Sequence, residues 1–137
     1  MANPAPFVER LPVAHSEDIV KVRQYVRAKA VQMGFSLVDQ TKIVTAASEL
    51  ARNTVVHGGG GWMETRILNL NGRKGIELTF EDSGPGIEDV ERALQDGFTT
   101  SEGLGLGLGG ARRLSNEFEI HSRPGEGTRV TIRRWRS

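Results

Sequence analysis

Apolar residues recur at helical spacing in the first third of the chain. One such run predicts the buried face of a helix: Ile19, Val22, Val26, Ala30 and Met33. Ser16 is the predicted N-cap of this helix, and Gly34 is its predicted end. A second helix is predicted from Ser36, which begins an S-x-x-D capping pattern, to about His57.

Alternating patterns further along the chain predict strands. The segments 64–70 and 75–81 read as two strands joined by a tight turn at Asn71-Gly72. The remaining predicted elements are a first strand, two short helices and two closing strands, at residues 7–13, 88–94, 108–114, 118–122 and 128–135. The order β-α-α-β-β-α-α-β-β predicts an α/β (α+β) sandwich with a mixed, largely antiparallel sheet and helices on one face.

Composition limits the possible functions. A length of 137 residues suits one domain, taken as residues 1–137. With no cysteine, disulfides, thiolate metal sites and cysteine nucleophiles are excluded. Eighteen basic against 17 acidic residues argue against a nucleic-acid partner. No apolar run is long enough for a membrane span and no export signal is present, so we expect a cytoplasmic protein without membrane contact.

An acid and an amide lie one turn apart near the end of the second predicted helix. Glu49 and Asn53 are four residues apart and therefore share a helix face. An amide oxygen can ligate a hard cation, while a nearby carboxylate deprotonates a hydroxyl. Taken alone, the pair is more typical of a solvated helix face, so the spacing by itself does not establish a catalytic role.

A carboxylate ends the second strand of the predicted hairpin. Asp82 has the parity of Phe80 and so points to the predicted core side, where an unpaired carboxylate is costly. The exocyclic amine of an adenine ring would be a suitable donor. Gly84 and Gly86 follow and would let the backbone approach a flat ligand closely. The alternative is a strand that simply ends in a turn.

A third motif is rich in glycine. Gly103, Gly105 and Gly107 alternate with leucine and open a predicted helix, an arrangement whose backbone N–H groups suit phosphates. Further on, Gly127-Thr128 precedes the last strand, where Thr128 would offer a hydroxyl beside Asp82. The order of these motifs is more specific than any one of them.

The four motifs in this order resemble the N, G1, G2 and G3 boxes of the GHKL superfamily, which has the Bergerat ATP-binding fold. The resemblance covers about residues 7 to 136. It implies ATP or ADP as nucleotide and Mg²⁺ as its metal ion. It also implies that Glu49 is the catalytic base, Asn53 the Mg²⁺ ligand, and Asp82 the adenine acceptor with Thr128 nearby. The remaining nucleotide contacts would come from glycines: Gly84, Gly86, Gly103, Gly105 and Gly107.

Within that superfamily the chain resembles switch-protein serine/threonine kinases of the RsbT type from bacterial partner-switching systems. The segment Ser48 to Asn53 and the pair Gly109-Gly110 favour this type, whereas His57-Gly58 is more typical of the sister RsbW and SpoIIAB type. The RsbT type implies a STAS-domain protein as substrate, a stressosome-like assembly and a PP2C-type phosphatase as a further partner. The sister type implies an anti-sigma factor that sequesters a sigma subunit.

Two arginines are candidates for partner contact. Arg52 lies between the N-box residues and faces about a quarter turn away from Asn53. A salt bridge to Glu49 is the alternative for this residue. Arg23 on the first helix is either a partner contact or a solvated residue.

Overall fold

The computed structural model describes residues 8–95 and 107–136. Five strands and four helices occur in these ranges. In chain order they are β1 (Val8–Val13), α1 (Ser16–Gln32), α2 (Leu37–Val56), β2 (Gly61–Leu70), β3 (Arg73–Asp82), α3 (Val90–Ala93), α4 (Gly107–Arg113), β4 (Glu117–Ser122) and β5 (Thr128–Trp135). The predicted element order is confirmed. None of the helices in these ranges is both long enough and apolar enough to cross a bilayer.

Helix α1 begins one residue before the sequence predicts. The N-cap is His15, in an extended conformation, and Ser16 is already helical. The reason is the buried carboxylate of Asp18, whose Oδ2 accepts hydrogen bonds from the backbone N–H groups of Ala14 (2.9 Å) and His15 (3.0 Å). An acidic side chain in the first turn therefore holds the chain that enters the helix.

The end of α1 and both ends of α2 lie where the sequence predicts. Gly34, with φ +79°, reverses the chain after α1, as a left-handed C-terminal glycine does. Ser36 caps α2, since its Oγ accepts the backbone N–H of Asp39 at 3.1 Å. His57 is the C-cap, with its N–H donated to the carbonyl of Asn53 at 2.9 Å.

The sheet has the order β1-β2-β3-β5-β4. All four described pairings are antiparallel, so the predicted sandwich with a largely antiparallel sheet is confirmed, and the sheet is not mixed within the described residues. Asn71 (φ 55°) and Gly72 (φ 82°) form the turn between β2 and β3, and both adopt the positive φ that a tight two-residue turn requires.

The helices cover one face of the sheet, and the core lies between them. Met63, Ile76, Leu78, Phe80 and Ile132 from the strands are all buried. From the helices, the buried apolar residues include Val22, Val26, Ala30, Ile43, Ala47 and Leu50. The alternation of β3 continues to Asp82, which is therefore directed to the helical side, as its parity predicts.

The arginines of β5 divide between the two faces of the sheet. Arg133 lies on the open face, where its Nε donates to Glu77 Oε2 at 2.7 Å and its Nη1 to Glu117 Oε1 at 3.3 Å. Arg134 lies on the helical side. Its Nη2 donates to Asp39 Oδ1 at 2.8 Å and its Nη1 to the carbonyl of Leu114 at 3.0 Å.

We expect Arg134→Met to destabilise the protein strongly. The side chains of Arg134 and Asp39 are only 12% and 7% exposed, so the variant removes a guanidinium that donates to a buried carboxylate. Removing one member of such a pair costs about 3–5 kcal/mol. Urea unfolding followed by circular dichroism measures the change, with the exposed Arg129→Met as control. Equal losses in the two variants would contradict a structural role for the Arg134 pair.

Candidate functional site

The site begins at the C-terminal end of α2. Glu49 and Asn53 are both half-buried and lie one helical turn apart on the same face. The carbonyl of Asn53 accepts the N–H groups of His57 (2.9 Å) and Gly58 (3.0 Å), which ends the helix. The N–H of Gly60 then donates to the carbonyl of Thr54 at 2.9 Å and turns the chain into β2.

Asp82 lies where three strands meet. It is the last residue of β3 and is paired with Gly61 on β2 and with Thr128 on β5. Its Oδ1 accepts the backbone N–H of Gly84 at 2.9 Å. The register therefore places Thr128 beside the aspartate, as the sequence predicts.

Glycines bring the end of α2 into direct contact with Asp82. A Cβ on Gly58 would lie 2.3 Å from the carboxyl carbon of Asp82, and one on Gly84 would lie 2.6 Å from the carbonyl oxygen of Gly58. On the opposite side, a Cβ on Gly127 would lie 2.2 Å from the backbone oxygen of Asp82. Side chains at any of the three glycines would separate the segments that now touch, so this corner depends on their absence.

The electrostatic environment of Asp82 is that of a partly desolvated acid. Burial is the largest influence on its pKa and raises it above the ordinary value. The N–H of Gly84, which hydrogen-bonds the carboxylate, and the adjacent backbone of Thr128 both lower the pKa and oppose this effect, while the neighbouring charge of Glu81 raises the pKa further. A desolvated carboxylate gains from a further donor, which a ligand amine can supply.

Ser122 organises the other wall of the site. Its Oγ accepts the backbone N–H of Ile87 at 2.8 Å and lies 2.8 Å from Thr128 Oγ1 and 3.1 Å from the carbonyl of Gly127. One hydroxyl at the end of β4 therefore connects the loop that follows Asp82 to the turn before β5. The sequence analysis missed Ser122, because nothing in its local pattern separates it from an ordinary strand end.

Backbone conformation and close packing explain why position 86 is a glycine. It has φ +77°, and a Cβ there would lie 2.0 Å from the carbonyl oxygen of Arg123. The N–H of Gly125 donates to the carbonyl of Pro85 at 2.7 Å, so the loop after β3 packs against the β4–β5 turn. Close backbone packing therefore accounts for this glycine whether or not a ring lies over it.

A cleft of about 540 Å³ lies beside these residues. Asp82 and Thr128 line it together with Ser122, Ile120 and Val90. Its volume falls within the roughly 300–1,000 Å³ typical of small-molecule sites. The lining includes both polar and aliphatic side chains, which suits a flat, polar-edged ring.

The structure gives fewer contacts for the remaining predicted site residues. Gly107 is the first residue of α4, and the position of a Cβ there is open space. Gly103 and Gly105 lie outside the described residues. Arg52 on α2 and Arg23 on α1 are both exposed.

A family comparison covers all the elements of this site. Residues 38–136 match the histidine kinase-, DNA gyrase B- and HSP90-like ATPase family. The chain belongs to this family. The matched range runs from α2 to the end of β5 and so includes Glu49, Asn53, Asp82 and Thr128. The predicted resemblance to GHKL ATPases is confirmed.

Within this ATPase family, the chain is similar to proteins of two named kinds. It is 46% identical over 118 residues to the serine/threonine-protein kinase RsbT of Bacillus subtilis, an alignment that covers 86% of this chain and 89% of the relative. It is 34% identical over 118 residues to an anti-sigma F factor of a Thermoanaerobacter species, with 82% of each chain covered. The chain is thus a homologue of an RsbT serine/threonine kinase, as the sequence predicts, and of anti-sigma factors.

Solved structures give the same fold. A Mycobacterium tuberculosis protein with RsbU and RsbW domains aligns with a TM-score of 0.63 at 22% identity, over 99% of this chain and 34% of that one. The mycobacterial sensor histidine kinase MprB aligns with a TM-score of 0.56 at 18% identity, over 95% of this chain and 98% of that one. These likenesses confirm the predicted fold class.

Proposed function

We propose that this protein is an ATP-dependent serine/threonine kinase that phosphorylates a STAS-domain protein in a bacterial partner-switching pathway. The observation that carries the proposal is the corner at which the Glu49/Asn53 end of α2 contacts Asp82 through Gly58. A general base, a cation ligand and an adenine acceptor then surround one nucleotide.

Adenine would occupy the cleft beside Asp82. The carboxylate already accepts the backbone N–H of Gly84 and would accept the 6-amino group of the ring as a further donor. Ser122 orients the Thr128 hydroxyl, which would contact the same end of the ring. Ile120 and Val90 would pack against the ring itself.

The triphosphate would extend from this cleft toward α2 and the N-terminus of α4. Asn53 would supply one amide oxygen to Mg²⁺, with phosphate oxygens and water as the remaining ligands. The donor set fits, because Asn53 offers a half-buried amide oxygen, and its backbone carbonyl binds the N–H of Gly58, which lies against Asp82. When bound, Mg²⁺ neutralises the negative charge that accumulates on the phosphates. Gly103, Gly105 and Gly107 remain the proposed phosphate contacts.

Glu49 would act on the hydroxyl of the protein substrate. The serine or threonine oxygen forms a bond to the γ-phosphorus, the bond to the β–γ bridging oxygen breaks, and ADP leaves. Glu49 accepts the hydroxyl proton. Its position one turn from Asn53 would hold it on the substrate side of the phosphates.

The proposed partners follow from the kinase relative. The 46% identity to RsbT supports a STAS-domain substrate and, after release of the kinase, activation of a PP2C-type phosphatase within a stressosome-like assembly. Arg52 and Arg23 are exposed on α2 and α1 and are the proposed contacts to the protein substrate.

We expect ATP affinity to decline in mild acid because of Asp82. Its pKa is raised, so the carboxylate takes up a proton at a higher pH than an ordinary aspartate, and protonation removes the charge that accepts the adenine amine. Calorimetry on the wild type and on Asp82→Asn between about pH 8 and about pH 4.5 gives the ratio of the two affinities. We expect this ratio to approach one as the pH falls.

The comparison with Asp82→Asn removes the contribution of the phosphates, which titrate identically in both proteins. A ratio that stays constant across the whole range would contradict adenine recognition by the Asp82 carboxylate.

The proposed kinase activity is tested by intact-mass analysis. The protein is incubated with Mg-ATP and purified candidate STAS-domain proteins, and the intact mass of each partner is measured. One added phosphate on a partner serine or threonine is expected. Absence of phosphate on every candidate, with ATP binding intact, would count against the kinase.

The anti-sigma relatives support a second candidate function. At 34% identity over most of both chains, they favour a protein that sequesters a sigma subunit under nucleotide control. Size-exclusion chromatography with a purified sigma factor distinguishes the two. A stable complex that ADP or ATP modulates would favour sequestration, and independent elution would favour the kinase.

A further inference from the structure

Gly58 is glycine because of space and not because of backbone conformation. Its φ is outside the left-handed region, which several other glycines of this chain adopt. An added Cβ would lie 2.3 Å from Asp82 Cγ and 2.4 Å from Asp82 Oδ2. Any side chain at position 58 therefore competes with the Asp82 carboxylate for the same volume.

The backbone at Gly58 is itself fixed on two sides. Its N–H donates to the carbonyl of Asn53 at 3.0 Å, which attaches it to the end of α2. On the other side, a Cβ on Gly84 would lie 2.8 Å from the Cα of Gly58. The carboxylate of Asp82 thus has Oδ1 held by the Gly84 N–H and Oδ2 against Gly58.

We propose that Gly58 is a positioning residue that sets the orientation of the Asp82 carboxylate and thereby the preference of the site for a base with an exocyclic amine. This inference rests on the proposed function, in which Asp82 receives the adenine amine. A residue of the turn that follows α2 would then contribute to base selection through its contact with Asp82.

The test compares ATP with inosine triphosphate, which has a carbonyl oxygen where adenine has its amine. We expect the wild type to prefer ATP by roughly 10- to 100-fold, the effect of one charge-assisted hydrogen bond. In Gly58→Ala the displaced carboxylate loses that bond. We expect ATP affinity to decline by about tenfold or more, while inosine triphosphate affinity stays within about twofold. Equal losses of affinity for the two nucleotides would indicate general damage to the site and would overturn the inference.

Val56→Ala is the matched control. Val56 is 57% exposed near the same helix end, and its truncation leaves the contact between Gly58 and Asp82 in place. We expect its ATP preference to equal that of the wild type. A loss of preference in this variant as large as in Gly58→Ala would overturn the positioning role.

A measurement on the wild type keeps the inference testable if Gly58→Ala does not fold. The Cα resonance of Gly58 should follow the titration of the Asp82 carboxyl carbon, and it should shift more with ATP than with inosine triphosphate. A Gly58 Cα resonance that follows neither the titration of Asp82 nor the identity of the nucleotide would overturn the proposal.

If the wild type shows no preference for ATP at all, the proposed adenine site fails. If the preference survives in a folded Gly58→Ala, only the role of Gly58 fails.

Discussion

Glu49→Ala is expected to slow phosphoryl transfer by about 10²- to 10⁴-fold, the usual contribution of a general base. Glu49 is half-buried on the α2 face that also carries Asn53. In the proposed mechanism it receives the substrate proton and makes no contact with the base or sugar. ATP affinity should therefore remain within about twofold of the wild type. Single-turnover transfer to a STAS-domain substrate and calorimetry with ATP measure the two quantities separately.

Two further variants define what Glu49 does. Glu119→Ala removes an acid from the open face of the sheet and should leave both quantities unchanged. Glu49→Gln keeps the size of the side chain but cannot accept the proton, so it should be as slow as Glu49→Ala. A fast Glu49→Gln, or a joint loss of ATP binding and transfer in Glu49→Ala, would contradict the assignment of Glu49 as the base.

Asp82→Ala is expected to weaken ATP binding by roughly 10- to 150-fold. A hydrogen bond to a charged group contributes about 1.5–3 kcal/mol, which corresponds to that range. The loss should be large because the carboxylate is partly desolvated and is already held in one orientation by the N–H of Gly84. Calorimetric titration at neutral pH measures it.

Glu119→Ala is the matched control for Asp82→Ala. Glu119 lies on β4, is exposed and is not among the residues that line the cleft. Its removal changes the net charge by the same amount. We expect ATP affinity near that of the wild type. Unchanged affinity in Asp82→Ala would remove this residue from the pocket, and equal losses in both variants would indicate a general electrostatic effect.

Local patterns in the sequence were sufficient to predict the elements and the side of the sheet on which Asp82 lies. Its parity with Phe80 is a property of any strand, because successive side chains alternate. The cap at Ser36 and the turn at Asn71-Gly72 follow from residue types with strong local preferences. The order of the motifs was then sufficient to predict the family.

Contacts between distant segments could not be predicted in the same way. Gly58 and Asp82 are brought together by the pairing of β2 with β3, and Ser122 reaches Ile87 because β4 lies at the sheet edge beside β5. Neither contact has a local signature. The predicted N-cap of α1 was wrong for a related reason. The Asp18 side chain binds the backbone of Ala14 and His15, and these hydrogen bonds outweigh the preference of Ser16 for the N-cap position.

The central claim is that Mg-ATP binds at the corner of α2, β3 and β5. The most direct measurement is a ¹H–¹⁵N correlation spectrum of the uniformly labelled protein during titration with Mg-ATP. We expect the amides of Gly58, Gly84 and Thr128 to shift together, while those of Glu64 and Glu117 on the open face of the sheet stay in place. Shifts concentrated on the open face, or none at saturating nucleotide, would contradict the claim.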